Sequence, residues 1–146
     1  MSNEKKIKLF LVDDDPLYLK MLEIELGSKN EFIIESFPTG ELCLQNLHKK
    51  PDVIVLDYFL DNFDKSAMNG IQVLDEIKSG NPEISVVILS SQDKIDVAVN
   101  CIHHKAFDYI VKSETAFIRL KKAIAVITHI KKTEKALNWY MEVTSK

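Results

Sequence analysis

Five runs of mostly apolar residues, each separated from the next by a stretch of helical character, constrain this chain more than any other feature. They are IKLFLV (7–12), FIIESF (32–37), DVIVLD (52–57), ISVVILS (84–90) and AFDYIV (106–111). A strand with one face in water alternates polar and apolar residues, whereas a strand covered on both faces is apolar throughout. These runs are of the second kind. The stretches between them carry apolar residues at helical spacing. Pro16 stands where the first helix begins, a position that tolerates its missing N–H, and Gly27 fits the end of that helix. Thr39 opens a second helix through about His48. Gly70–Ser79 and Asp93–His104 read as the third and fourth. From about Glu114 the chain reads as helix to its end, with no Gly or Pro after residue 82.

Strict alternation of strand and helix implies a parallel sheet with right-handed crossovers. The fold class is therefore α/β, a doubly wound five-stranded parallel sheet with helices on both faces. The 146 residues suit one such domain, expected over residues 1–128, with residues 129–146 as a helical extension. A net charge of −3 gives no electrostatic footprint for nucleic acid. The short lysine patches near Lys49 and Lys121 read as solvated helix surface. The start, MSNEKKIKLFLV, lacks the long apolar stretch of a signal peptide. No segment approaches the ~18 apolar residues of a membrane span. Cys43 and Cys101 lie outside any CxxC pattern and read as reduced thiols, which favours a cytoplasmic location.

The stretch VIVLDYFL, residues 53–60, places the carboxylate of Asp57 among large apolar neighbours. An unpaired carboxylate in such a setting costs several kcal/mol. In doubly wound folds, ligands bind at the carboxyl ends of the strands. There the chain carries Asp13, Asp14 and Asp15 after the first run, Asp57 after the third, Ser90 and Ser91 after the fourth, and Lys112 after the fifth. Independent capping does not explain acid, hydroxyl and ammonium converging on one rim.

The pieces FLVDDDP, VIVLD, MNGIQVL, VVILSSQD and FDYIVK, in this order and at this spacing, resemble the receiver domain of two-component response regulators over about residues 7–128. The resemblance implies a flavodoxin-like receiver fold. It implies that Asp57 accepts a phosphoryl group from the phosphohistidine of a sensor histidine kinase or histidine phosphotransfer protein. It implies Mg²⁺ held by Asp14, Asp57 and the backbone carbonyl of Phe59, with Asp13 acting mostly through a water. Lys112 and Ser90 would contact the phosphoryl oxygens, and Ser90 with Tyr109 would switch the face of the fourth helix, fifth strand and fifth helix. A signalling domain that catalyses only its own phosphorylation and dephosphorylation is expected, not an enzyme with a separate substrate. Two alternatives stay open. A degenerate receiver would bind partners without phosphate. A flavin mononucleotide protein of this fold would need a phosphate-cradling loop after the first strand, where DDDP would repel phosphate.

The chain departs from the receiver pattern in four places. Ser113 follows Lys112 where a cis proline is usual, so either an adjusted trans bond or a strained cis bond is expected. The loop YFLDNFDKSAMNG after Asp57 is long and adds Asp61 and Asp64 near the metal site. Lys105 stands where a helix-ending glycine is common, and Phe59 is large and apolar two residues after Asp57. His103 and His104 are adjacent, point to different sides of a helix, and read as surface residues. The final helix, of roughly 30 residues and about 45 Å, is longer than the sheet needs. Its second half, with Leu137, Trp139, Tyr140 and Met141, is expected to project or fold back and to serve a homodimer or lead into an output domain.

Overall fold

The computed structural model describes residues 5–145. In chain order it contains β1 (Ile7–Val12), α1 (Pro16–Gly27), β2 (Phe32–Phe37), α2 (Gly40–Gln45), β3 (Val53–Asp57), α3 (Gly70–Gly80), β4 (Ser85–Ser90), α4 (Ile95–His103), β5 (Asp108–Val111) and α5 (Ala116–Thr144). The five strands form one parallel sheet in the order β2-β1-β3-β4-β5. This is the doubly wound parallel sheet that the alternation of runs predicts, in the flavodoxin-like form that the resemblance implies.

The two-residue period of a strand sorts the apolar residues between the faces. Phe10, Val12, Ile54, Leu56, Val86 and Ile88 point to one side, where they pack with Cys43 of α2, Val73, Leu74 and Ile77 of α3, and Cys101 of α4. Leu9, Leu11, Val53, Val55, Val87 and Leu89 point to the other, against Leu22 and Leu26 of α1 and Leu120, Ile124 and Ile127 of α5. The central strands β1, β3 and β4 are covered on both faces, which is why their runs are the most continuously apolar. The edge strands β2 and β5 are only partly buried and carry Glu35, Ser36 and Asp108. Cys43 and Cys101 are both free and buried.

Helix starts follow side-chain caps. Asp15 accepts from the Leu17 and Tyr18 N–H groups, with Pro16 at the first helical position. Thr39 accepts from Leu42 N–H at 3.2 Å. Asn69 and Gln72 form a reciprocal capping box on α3.

Several boundaries differ from the sequence expectation, each for a local reason. α2 ends at Gln45, not His48, because Asn46 turns back on it, its side-chain amide donating to the Leu42 carbonyl at 2.8 Å. A 3₁₀ turn, Leu47–Lys49, follows. α4 begins at Ile95, since Lys94 is still extended. β5 begins at Asp108 and not at Ala106, whose N–H is still bonded to the Cys101 carbonyl at 3.1 Å as the chain leaves α4. α1 does end at Gly27, but Asn30 is the residue that takes the left-handed conformation, φ 53°. Lys105 adopts φ 73°, as its place at a glycine position implies. The Lys112–Ser113 bond is trans, since the described residues contain no cis peptide.

Candidate functional site

Strand order reverses between β1 and β3, the crevice where this topology leaves room for a ligand. In the register Val12 pairs with Leu56, so the next residues, Asp13 just past β1 and Asp57 at the end of β3, stand side by side. On the far side of β3, Asp57 pairs with Leu89 and Ser90 pairs with Val111, which brings Ser90 and Lys112 to the same rim. The Lys112 N–H donates to the Ser90 carbonyl at 2.7 Å and holds that edge.

Carboxylate oxygens of Asp13, Asp14 and Asp57 all lie within 4.8 Å of one another. Asp13 and Asp57 are only 1% and 3% exposed, so water screens their repulsion poorly. Asp13 is held on both oxygens: Oδ1 accepts from the Asp15 N–H and Oδ2 from Lys112 Nζ, each at 2.9 Å. Lys112 Nζ is also 3.4 Å from Asp57 Oδ1, which accepts from the Phe59 N–H at 3.4 Å. Asp14 Oδ2 accepts from the Asn62 N–H at 3.1 Å. Asp14 Oδ1 is buried and has no hydrogen-bond donor.

The Lys112 ammonium thus pairs with two of the three carboxylates, Asp13 and Asp57, and not with Asp14. Burial, reinforced by the Asp13 charge, pushes Asp57 up to about 7, against the opposing pull of Lys112 and the Phe59 N–H. Burial also raises Asp14, with Asp13 adding to it. At Lys112 burial works against the ammonium, but Asp57 and Asp13 outweigh it and hold the group above its ordinary value. Clustered hard oxygens with a donorless oxygen among them suit a divalent cation such as Mg²⁺, which takes oxygen ligands. The acidic pocket therefore fits Mg²⁺ and the chemistry of an aspartyl phosphate.

Ser90 is fully buried at the end of β4. Its Oγ accepts from the Gln92 N–H at 3.1 Å, and the Gln92 carbonyl accepts from the Tyr109 hydroxyl at 2.6 Å. Tyr109 packs half-buried against the α2–α4 side of the core. Ser90 and Tyr109, singled out as a switch pair, are linked through Gln92.

The histidines lie at the surface as expected. Asp61 and Asp64 do not join the acidic group; Asp64 is exposed and accepts from its own loop, from Ser66 Oγ at 2.6 Å. The Phe59 carbonyl accepts from the Asn62 amide at 3.4 Å. His103 is exposed, and His104 Nδ1 meets Asp75 Oδ1 at 2.6 Å in a surface pair between α4 and α3.

Three residues near the site escaped sequence reasoning. Asn62 supports Asp14 from the long loop. Gly70 closes that loop, its N–H donating to the Tyr58 carbonyl at 3.0 Å. A Cβ there would lie 2.7 Å from the carbonyl oxygens of both Asp57 and Tyr58, so only glycine fits. Tyr18 lies with its ring centroid 4.2 Å from Lys112 Nζ. For Gly70, the MNG sequence before an apolar helix was a signal of the turn but not of the close approach.

The model of the response regulator receiver domain matches residues 9–125. A protein-glutamate methylesterase/protein-glutamine glutaminase of Clostridium acetobutylicum is 33% identical over 117 residues, which cover 77% of this chain and 32% of that protein. The transcriptional regulatory protein ZraR of Klebsiella oxytoca is 30% identical over 112 residues, covering 77% of this chain and 24% of that one. The chain thus spans less than a third of the length of either relative. Among solved structures, the signal receiver domain of a putative Luxo repressor protein from Vibrio parahaemolyticus superposes with a TM-score of 0.79 at 27% identity, covering 91% of this chain and 98% of that one. With its five-stranded parallel sheet, its acidic switch-point crevice and a family match over most of its length, the chain belongs to the response regulator receiver domains of two-component systems.

Proposed function

We propose that this receiver takes a phosphoryl group onto Asp57 from a phosphohistidine on a sensor histidine kinase or a histidine phosphotransfer protein. The observation that carries this reading is a buried carboxylate at the switch point, flanked by Asp13, Asp14 and Lys112. A carboxylate oxygen of Asp57 attacks phosphorus; the P–N bond breaks, its electron pair returns to the imidazole, and an O–P bond forms. Asp14 and Asp57, with the Phe59 carbonyl, would hold Mg²⁺, and Asp13 would act through a water. Bound there, the cation offsets negative charge on the phosphoryl oxygens. Lys112 supplies a second positive charge to the same oxygens. The direct pairing of Asp13 with Lys112 supports a further part for Asp13, that of holding the ammonium in place.

The switch follows from the Ser90–Gln92–Tyr109 chain. When the Ser90 hydroxyl turns to a phosphoryl oxygen, it releases the Gln92 N–H, and the Gln92 carbonyl that anchors Tyr109 is free to move. The α4–β5–α5 face then changes shape and signals to an output domain or partner. In this reading the receiver proper ends near residue 128 and residues 129–146 form an extension. The exposed apolar side chains of its second half, Leu137, Trp139, Tyr140 and Met141, suit a homodimer contact. The two buried free thiols suit a reducing, cytoplasmic setting. No helix among the described residues is long and apolar enough to cross a membrane.

Acetyl phosphate with Mg²⁺ tests the reading. Intact-mass spectrometry is expected to show one added phosphoryl group on the parent and none on Asp57→Asn. Equal labelling of both would remove Asp57 from this role.

A further inference from the structure

Asp13 and Asp57 hold the Lys112 ammonium by charge, and a third, uncharged contact completes its surroundings. Lys112 Nζ lies 4.2 Å from the centroid of the Tyr18 ring. A cation over a ring face within about 6 Å of the centroid is attracted by the ring quadrupole, more strongly where water is excluded. The Lys112 side chain is 17% exposed, so much of the water is excluded. The ring is itself fixed. The Tyr18 N–H belongs to the Asp15-capped first turn of α1. Its ring pairs with that of Phe117, centroids 6.0 Å apart, in the first turn of α5. Both pack on the core cluster between α1, α5 and the sheet.

Lysine needs such a seat because four rotatable bonds separate its charge from the backbone. The attraction to Asp57 also changes character once that carboxylate becomes an acyl phosphate. The ring face carries no titratable charge at neutral pH and is the same in both states.

We infer that Tyr18 is a positioning residue for Lys112: its ring face seats the ammonium beside Asp57, where the oxygens of an incoming phosphoryl group arrive. The inference rests on the phosphoacceptor reading of Asp57. It makes α1 a contributor to the site through an aromatic face, and through Phe117 it ties the Lys112 seat to the start of α5.

Tyr18→Phe keeps the ring and Tyr18→Leu removes it. Two readouts separate positioning from folding. The first is the ring-current displacement of the Lys112 ε-methylene signals in a carbon–proton correlation spectrum. The second is the rate of labelling by acetyl phosphate at saturating Mg²⁺. Tyr18→Phe is expected to keep both the displacement and the parent rate. Tyr18→Leu is expected to lose the displacement and label about fivefold more slowly, with the circular dichroism of the parent. A parent-like rate in Tyr18→Leu overturns the inference, and so does a Tyr18→Phe variant as slow as Tyr18→Leu. A parent that takes no label refutes the phosphoacceptor reading and with it the catalytic purpose of the seat. That outcome is distinct because it is seen in the parent before any Tyr18 variant is compared.

Discussion

At the scale of single residues, Asp57 couples the site to the stability of the fold. Burial and the neighbouring Asp13 raise it from 3.8 to about 7. Between those values the folded protein holds a proton that the unfolded chain has released, so metal-free stability falls as pH rises through that window. Asp14, raised in the same direction, adds to the trend. In EDTA the parent is expected to unfold at lower urea concentration at pH 8 than at pH 5, by at most about 1.4 kcal/mol per unit of pKa displacement. Asp57→Asn should flatten this dependence and exceed the parent in stability at pH 8. A parent whose metal-free stability rises over the window contradicts the electrostatic picture. Millimolar Mg²⁺ at pH 8 should recover the lost stability by mass action. Phe59 makes a second prediction at this scale. Its ring meets that of Tyr58 edge-on at 4.9 Å, two residues beyond the acceptor, and is expected to cover the approach of water to a phosphoryl group on Asp57. Phe59→Asn is expected to shorten the phosphoryl lifetime about tenfold by admitting and orienting that water. An unchanged decay after removal of the phosphodonor would dismiss the shielding role.

At the scale of elements, the loop from Tyr58 to Gly70 decides whether Asp57 and Asp14 keep their positions. Gly70→Ala places a methyl against the carbonyl oxygens of Asp57 and Tyr58. It is expected to destabilise the protein by about 1–3 kcal/mol in urea unfolding and to slow phosphorylation; a variant equal to the parent in both would mean that the loop moves freely. This element also marks the limit of what the chain discloses before its structure is known. The central strands were legible because both of their faces are buried, and the placement of Asp13, Asp57, Ser90 and Lys112 was legible because register carries strand ends to one rim. Asn62 and Tyr18 were not, since their parts depend on a loop path and a helix orientation that no periodicity encodes. The end of α2 and the start of β5 were displaced for a similar reason, the Asn46 amide and the bond from the Ala106 N–H to the Cys101 carbonyl acting outside the apolar pattern.

At the scale of the whole molecule, α5 runs unbroken for 29 residues, about 44 Å at 1.5 Å per residue. Its length was legible because nothing after residue 82 breaks a helix; whether it would fold back was not, since that depends on what the second half packs against. The Lys131 ammonium reaches the Glu83 carbonyl at 2.9 Å, and beyond it Leu137, Trp139 and Tyr140 are exposed. Ending the chain after Lys132 keeps that anchor. The truncated form should label like the parent, while light scattering should report a mass above one chain for the parent and of one chain for the truncation. One-chain masses for both would exclude self-association through this segment. The central claim, that one buried aspartate at the switch point carries the phosphoryl group, has a more direct test. Borohydride reduces an acyl phosphate to the alcohol, converting a phosphorylated aspartate to homoserine, which peptide mass mapping locates. After treatment with acetyl phosphate and Mg²⁺, homoserine is expected at position 57 alone; homoserine at Asp61 or Asp64 instead, or at no position, would contradict it.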